Sequence, residues 1–273
     1  MVDNAENVVS KFYNSEGWES IEGITEDARR WEDLREHARK YVSKCRLRLL
    51  EFIPKNGENI LDMASGPIQY VEYLEYSKYF DKRYCIDLST KALEEAEKKI
   101  GSHGVFLNGS FFDIRLPENF FDCSISLHTI YHMDRDRQEE AVRKLLYVTK
   151  PRKPVIIVYS NPDLLINLII TPVRYFLNLA KKFKYFITKT SECKAPNLYY
   201  MPFPLEWWKR FSDIADINIR PWRSFGSRHQ KLLFPNNKWG EKMFDCLFYL
   251  EERFPAFFVK HFQYPMIILQ KRQ

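Results

Sequence analysis

Asn59-Ile60-Leu61-Asp62-Met63-Ala64-Ser65-Gly66-Pro67 is the stretch whose reading decides the fold. Asn59 to Met63 is a short apolar run holding one acid. Ala64, Ser65 and Gly66 are small enough for a tight turn, and Pro67 suits the first position of a helix, where its missing N–H is not needed. Strand, turn and helix are therefore expected in that order. The same grammar returns at Arg83 to Asp87, a strand followed by Ser89 as the N-cap of a helix through Ala92, Leu93, Ala96 and Ile100. Val105 to Leu107 reads as a third strand, Phe121 to Leu127 as a fourth, Asp134 to Val148 as a helix and Pro154 to Tyr159 as a fifth strand. Strands alternating with helices imply a mostly parallel sheet covered on both faces, a doubly wound α/β fold.

On the N-terminal side, apolar residues from Ala28 to Phe52 recur at steps of three and four, which predicts helix over 25–52 with room for one break, ending before Pro54. On the C-terminal side, the stretch from Ser160 to Pro204 is longer than an ordinary connection and reads as an insertion. Its apolar middle, Leu164 to Ile187, carries Arg174, Lys181, Lys182 and Lys184, with Lys189 just beyond, and Pro172 splits it into two expected helices. A helix at Leu205 to Phe211 follows. Ile217 to Trp222 and Pro265 to Gln270 complete a seven-stranded sheet, with a helical insertion at Lys238 to Glu252 between them.

With 273 residues, 45% of them hydrophobic, the chain can bury one substantial core, and one enlarged α/β domain accounts for its length. The net charge of +6 is spread along the chain and argues only weakly for an anionic partner. Cys45, Cys85, Cys123, Cys193 and Cys246 are odd in number and far apart, with neither disulfide nor zinc spacing, so no metal is expected and a reducing compartment fits. The N-terminus is polar, and no apolar run approaches the roughly 20 residues a membrane span needs. A soluble, cytoplasmic protein is the expectation.

In a parallel sheet, ligands bind beyond the carboxyl ends of the strands, near the point where strand order reverses. Asp62 with Ala64, Ser65 and Gly66 stands at one such tip, where backbone N–H groups can approach a ligand closely. Asp87 stands at the next, 21 residues beyond Gly66, where an acid can accept from both hydroxyls of a ribose. Either acid alone is equally well a structural cap. Taken with Gly109 to Pro117, which holds Phe111, Phe112 and Asp113, and with Phe121-Asp122 opening a strand, the order resembles the class I S-adenosylmethionine-dependent methyltransferases of the small-molecule and sugar-modifying type. The resemblance implies a Rossmann-like fold and S-adenosyl-L-methionine as cofactor. It assigns the methionine part to Asp62, Ala64, Ser65 and Gly66, the ribose to Asp87 and the adenine amino group to Asp113. Leu88, Phe111 and Phe112 would flank the adenine, or else belong to the core. Ala64 and Ile68 stand where the family has glycines. Gln69 breaks a dinucleotide-binding GxGxxG, and no P-loop is present.

On this resemblance, residues 1–53 form an N-terminal lid and helix, and 54–273 the methyltransferase domain, with acceptor-side insertions at about 161–204 and 224–262. Tyr13 and Trp18 fall where such a lid covers the cofactor, although aromatic residues also simply pack a terminal segment. Methyl transfer from a sulfonium needs the acceptor held in line and, for a hydroxyl, a base. His128, Tyr131 and His132 follow the fourth strand, which in the family faces the transferred methyl, so His132 and His128 are the base candidates with Tyr131 beside them. Two histidines four apart also read as one structural helix face.

The acceptor is expected to be a small molecule, anionic or a sugar such as a glycan or nucleotide sugar, methylated on a hydroxyl and less readily on an amine. The run from Arg223 to Lys231, with Arg228 and His229, suits an anionic acceptor or is a solvated basic loop. Tyr199 to Phe203 offers aromatic surface for a ring. Nucleic acid is disfavoured, since no concentrated basic stripe is present, and the family's amide-methylating Asn-Pro-Pro-Tyr motif is missing after the fourth strand. Two other readings stay open: a noncatalytic nucleoside- or partner-binding module on the same fold, and a methyltransferase that takes a lipid-linked acceptor at a membrane surface through the basic stretch Arg174 to Lys189.

Overall fold

A computed structural model describes residues 5–21, 23–165 and 199–272. The helices expected between Leu164 and Ile187, with their lysines and Pro172, fall almost wholly outside the described residues, as do Lys189 and Cys193. Seven strands build the central sheet: β1 (Gly57–Met63), β2 (Phe80–Asp87), β3 (Gly104–Asn108), β4 (Cys123–Leu127), β5 (Pro154–Val158), β6 (Ala215–Arg223) and β7 (Tyr264–Lys271). Their order across the sheet is β3-β2-β1-β4-β5-β7-β6, and β7 alone runs antiparallel to its neighbours. Strand order reverses between β1 and β4, which places the ligand crevice of such a sheet over the tips of those two strands.

The strands are legible because both faces are covered. Ile60 to Met63 and all of β5 are buried, so they read as continuous apolar runs rather than alternating ones. Successive residues feed opposite cores. Leu61, Met63, Val155 and Ile157 pack with Trp208 and Phe211 on one face, and Ile60, Ile125, Ile156 and Val158 pack with Leu49 and Trp222 on the other.

The helices are α1 (Ala5–Phe12), α2 (Glu26–Trp31), α3 (Glu36–Leu47), α4 (Thr90–Ile100), α5 (Gln138–Val148), α6 (Ser227–Leu233), α7 (Lys238–Arg253) and α8 (Pro255–His261). Ser89 caps α4, its hydroxyl accepting from the Ala92 N–H at 3.2 Å. The break expected within 25–52 falls between α2 and α3. Ala38, Tyr41 and Val42 of α3 share a core with Phe244 and Leu247 of α7, so the N-terminal region and the insertion after β6 pack as one body.

Two expected α-helices are 3-10 turns instead, at Val71–Ser77 and Leu205–Phe211. The first departure has a visible cause. Ala64, Gly66 and Ile68 all have left-handed backbone, with φ of 60°, 54° and 48°, so the chain cannot enter a right-handed helix at Pro67. Lys99 Nζ then donates to the carbonyls of Pro67 and Ile68 at 2.7 and 2.9 Å, occupying oxygens that a helix would use.

Candidate functional site

The crevice lies over the tips of β1, β2 and β4, and Met63, Ala64, Asp87, Leu88, Phe111 and His132 are on its wall. Ala64 and Ile68 hold the left-handed conformations that glycines favour, so the turn keeps the shape of a glycine-rich loop without two of its glycines. The Ala64 and Ser65 N–H groups donate to the Ile86 carbonyl at 2.8 and 3.2 Å. Asp87 binds the loop to its own strand tip: Oδ2 accepts from the Gly66 N–H and Oδ1 from the Ser89 N–H, both at 2.8 Å. Burial pushes the Asp87 carboxyl up to about 6, against the opposing pull of those backbone donors.

Three sequence-predicted residues stand elsewhere. Asp62 is buried beneath the loop, and its carboxylate accepts from Arg83, a fully buried guanidinium on β2. Asp113 is exposed, because the turn Ser110 to Ile114 directs Phe111 rather than Asp113 toward the crevice. The Phe112 ring packs instead under the Arg137 guanidinium, 3.5 Å from its centroid.

The N-terminal segment lies across the opening. Glu6 and Val9 of α1 line the crevice, and Glu6 Oε1 accepts from the Ser110 hydroxyl at 2.7 Å. Neither was legible, since nothing in a short polar amphipathic helix marks its destination. Tyr13 stacks on Trp18 with ring centroids 4.7 Å apart, and its hydroxyl donates to Asp27 at 3.2 Å. Trp18 covers the turn so closely that a Cβ on Gly66 would lie 3.1 Å from its ring. The buried Nε1 of Trp18 has no hydrogen-bond partner among the described residues. A small-residue cradle, an unpaired indole donor over it, and a strand-tip carboxylate beside Ile86 and Leu88 fit an adenosine carrying an amino-acid tail.

Beyond β4 the two histidines face different ways. His128 has left-handed backbone, φ 59°, and its Nδ1 lies 3.0 Å from the Tyr131 hydroxyl. Its ring meets Trp222 and Tyr264 edge-on, with centroids 4.6 and 4.9 Å away. His132 closes the 3-10 turn Ile130–His132 and reaches the crevice, with Nδ1 2.6 Å from the Tyr199 carbonyl. The helix-face reading of the pair therefore fails, because His128 precedes the turn in a non-helical conformation. Burial lowers the pKa of both imidazoles, that of His128 strongly, with Arg223 adding to the effect there. Tyr131 is buried, which raises its phenol well above its ordinary value, so it stays neutral. Tyr200, from the expected aromatic segment, stands 5.4 Å from Tyr131 and 6.0 Å from His132 between ring centroids.

The Arg223 to Lys231 run divides in two. Arg223 is buried against Glu32, whereas Arg228 and Lys231 are exposed on α6. Among the described residues, no group of His, Cys, Asp and Glu could hold a metal ion, and no helix is long and apolar enough to cross a membrane.

Residues 61–157 match a family model described as a methyltransferase domain. Among solved structures, a SAM-dependent methyltransferase from Archaeoglobus fulgidus is 15% identical with a TM-score of 0.53, covering 86% of this chain and 94% of that one. DhpI in complex with SAH is 10% identical with a TM-score of 0.56 over 98% of each chain. A SAM-dependent methyltransferase from Leishmania major is 9% identical with a TM-score of 0.57, covering 97% of this chain and 83% of that one. At such identities the likeness is one of fold. No curated protein sequence matches the chain. The match runs from β1 to β5, so this part of the chain is a methyltransferase domain on the strand order described above.

Proposed function

We propose that the chain methylates a hydroxyl of a small molecule and that His132 receives the proton. One observation carries this reading: the 2.6 Å contact between His132 Nδ1 and the Tyr199 carbonyl. A carbonyl only accepts, so Nδ1 carries the proton and the lone pair sits on Nε2. Burial keeps the imidazole neutral around pH 7, the state a base needs. An amine acceptor that arrives unprotonated would need no such group, and for that reason a hydroxyl is favoured.

In this reading Asp87 takes the ribose hydroxyls, and Ala64, Ser65 and Gly66 leave room for the methionine end, with the Trp18 indole as a donor to it. Leu88 and Phe111 flank the adenine. Asp62 supports the loop from below through Arg83, and Asp113 and Phe112 take no direct part. S-adenosylmethionine supplies an electrophilic methyl group on a sulfonium. The chain's own work is to align the acceptor, to remove its proton at His132 Nε2 and to exclude water beneath Glu6, Tyr13 and Trp18. Residues 1–53 then act as lid and helix on a domain of 54–273. Cys45, Cys85 and Cys123 are buried free thiols, which suits a reducing, cytoplasmic setting. The lipid-linked alternative leaned on Arg174 to Lys189, which lies outside the described residues.

The test is turnover of S-adenosylmethionine against a panel of hydroxyl- and amine-bearing small molecules, with wild type and His132→Gln compared at saturating cofactor. Loss of transfer to hydroxyls with unchanged SAH affinity supports the reading. Equal turnover by the variant removes His132 from it.

A further inference from the structure

Arg46, from α3, and Arg223, from the end of β6, converge on one carboxylate. Glu32, just beyond α2, places Oε1 3.5 Å from Arg46 Nη2 and Oε2 2.8 Å from Arg223 Nη1. The two arginines are 6% and 3% exposed, and the Nε–H of each has no hydrogen-bond partner among the described residues. Glu72 lies 3.9 Å from Arg46 Nη1, so two cations face two carboxylates and the local charge balances. The donors do not balance. Each guanidinium offers five N–H groups, and a buried donor without a partner is a cost that folded proteins rarely carry.

A chain of ring contacts links Arg223 to the crevice wall at His132. Arg223 Cζ lies 5.0 Å from the ring centroids of both Trp222 and Tyr264, the same rings that hold His128 edge-on. His128 in turn contacts Tyr131, whose ring is 4.5 Å from that of His132. Arg46 lies flat over Tyr70, 3.3 Å from its centroid, which fixes the plane of the guanidinium. On this path three side chains, Trp222 or Tyr264, then His128, then Tyr131, stand between Arg223 and the proposed base.

We propose that Arg46 and Arg223 seat a phosphate group carried by the methyl acceptor, with Glu32 holding its place in the ligand-free chain. A carboxylate already occupies the position and leaves both Nε–H groups unmatched. A phosphate monoester has three terminal oxygens and a charge near −2, enough lone pairs to meet Nε and Nη of both arginines at once. Glu32 belongs to the segment that includes Asp27, the partner of Tyr13. This inference rests on the methyl-transfer reading and gives its acceptor a chemical class.

The experiment is calorimetry on the full chain with SAH, inorganic phosphate and acetate at matched ionic strength. Phosphate is expected to bind wild type more tightly than acetate does. It should bind Glu32→Gln about tenfold more tightly than wild type, because a competing charge is gone, and Arg223→Gln or Arg46→Gln at least about tenfold more weakly. SAH affinity should stay within about twofold in Glu32→Gln. Phosphate that fails to bind both wild type and Glu32→Gln overturns the proposal, even should the arginine variants fail to fold. Phosphate affinity unchanged in a folded Arg223→Gln overturns it as well. Loss of SAH binding with phosphate binding intact would sink the methyl-transfer reading and leave the seat standing. Sedimentation with phosphatidylcholine vesicles containing phosphatidic acid separates the sources: co-sedimentation that Arg223→Gln abolishes puts the phosphate on a lipid, and phosphate binding without co-sedimentation puts it on a soluble ester.

Discussion

Arg83 donates from both Nε and Nη2 to a single oxygen of Asp62, at 3.1 and 2.5 Å, across the pairing of β1 with β2. Its Nη1 reaches the Tyr73 carbonyl, so one guanidinium ties the 3-10 turn Val71–Ser77 to both strands beneath the cofactor loop. Asp62 is 3% exposed and Arg83 fully buried. Removing one member leaves the other charged and unpaired, which costs about 3 to 5 kcal/mol, whereas apolar replacement of both is often close to neutral. Asp62→Ala and Arg83→Ala should each lower the unfolding free energy read from urea titration by such an amount, and Asp62→Leu combined with Arg83→Met should recover most of it. A double variant as unstable as the sum of the singles would show that the pair does more than satisfy its own charges.

That pairing also marks the limit of what the chain discloses before it folds. The β-strands were legible because Ile60 to Met63 and Val155 to Val158 are buried on both faces, and burial is written directly as apolar runs. Asp87 was legible because a strand tip and its spacing from the turn locate it. Asp62 was placed at its strand tip without its pairing to Arg83, since nothing local says that the arginine two residues before Cys85 will turn toward it. Phe111 and Phe112 are neighbours, and only the turn after Gly109 decides which one reaches the crevice. The helix expected at Pro67 failed for a related reason: Ala64 and Ile68 adopt left-handed backbone that their residue types do not advertise.

Asp87 should make cofactor binding depend on pH. The carboxylate, not the acid, accepts from ribose hydroxyls, and its pKa in the free protein is raised from 3.8 to about 6. Below that value binding must expel a proton, so SAH affinity should fall about tenfold for each further pH unit and be flat above about pH 7. Asp87→Asn should weaken binding at pH 8 by about 1.5 to 3 kcal/mol and abolish the slope. Calorimetry between pH 5 and 8 in buffers of differing ionisation enthalpy measures both. A slope that persists in Asp87→Asn would assign the titration to another group, with Asp27, whose pKa is also about 6, the next to examine.

His132 and His128 should separate kinetically. A general base of this kind contributes about 10²- to 10⁴-fold, so His132→Gln should lose that much kcat on a hydroxyl acceptor with KM for the cofactor unchanged. Because burial lowers the His132 pKa, wild-type kcat should hold steady as pH falls through 6.5 and drop only at lower pH, where the imidazole gains its proton. His128→Gln removes a ring that touches Tyr131, Trp222 and Tyr264 but does not line the crevice, and should cost less than about tenfold. A larger loss in His128→Gln than in His132→Gln would exchange their roles.

The cofactor turn offers a pair of substitutions that should act in opposite directions. Ala64 has φ 60°, a left-handed conformation that costs an L-residue about 1 to 2 kcal/mol and glycine almost nothing. Ala64→Gly relieves that strain but adds about 0.5 to 1 kcal/mol of freedom to the unfolded chain, so the folded state should gain up to about 1.5 kcal/mol. Gly66→Ala meets the same backbone penalty at φ 54° and also sets a methyl group 3.1 Å from the Trp18 ring. Either the turn or Trp18 must then yield, and the stacking of Tyr13 on Trp18 ties that movement to the rest of the covering segment. Gly66→Ala should therefore destabilise the chain by about 1 to 2 kcal/mol and speed amide hydrogen exchange over residues 5–18, whereas Ala64→Gly should leave that exchange unchanged. Slow exchange preserved over 5–18 in Gly66→Ala would mean that the N-terminal segment is held by Glu6 and Asp27 without help from the turn.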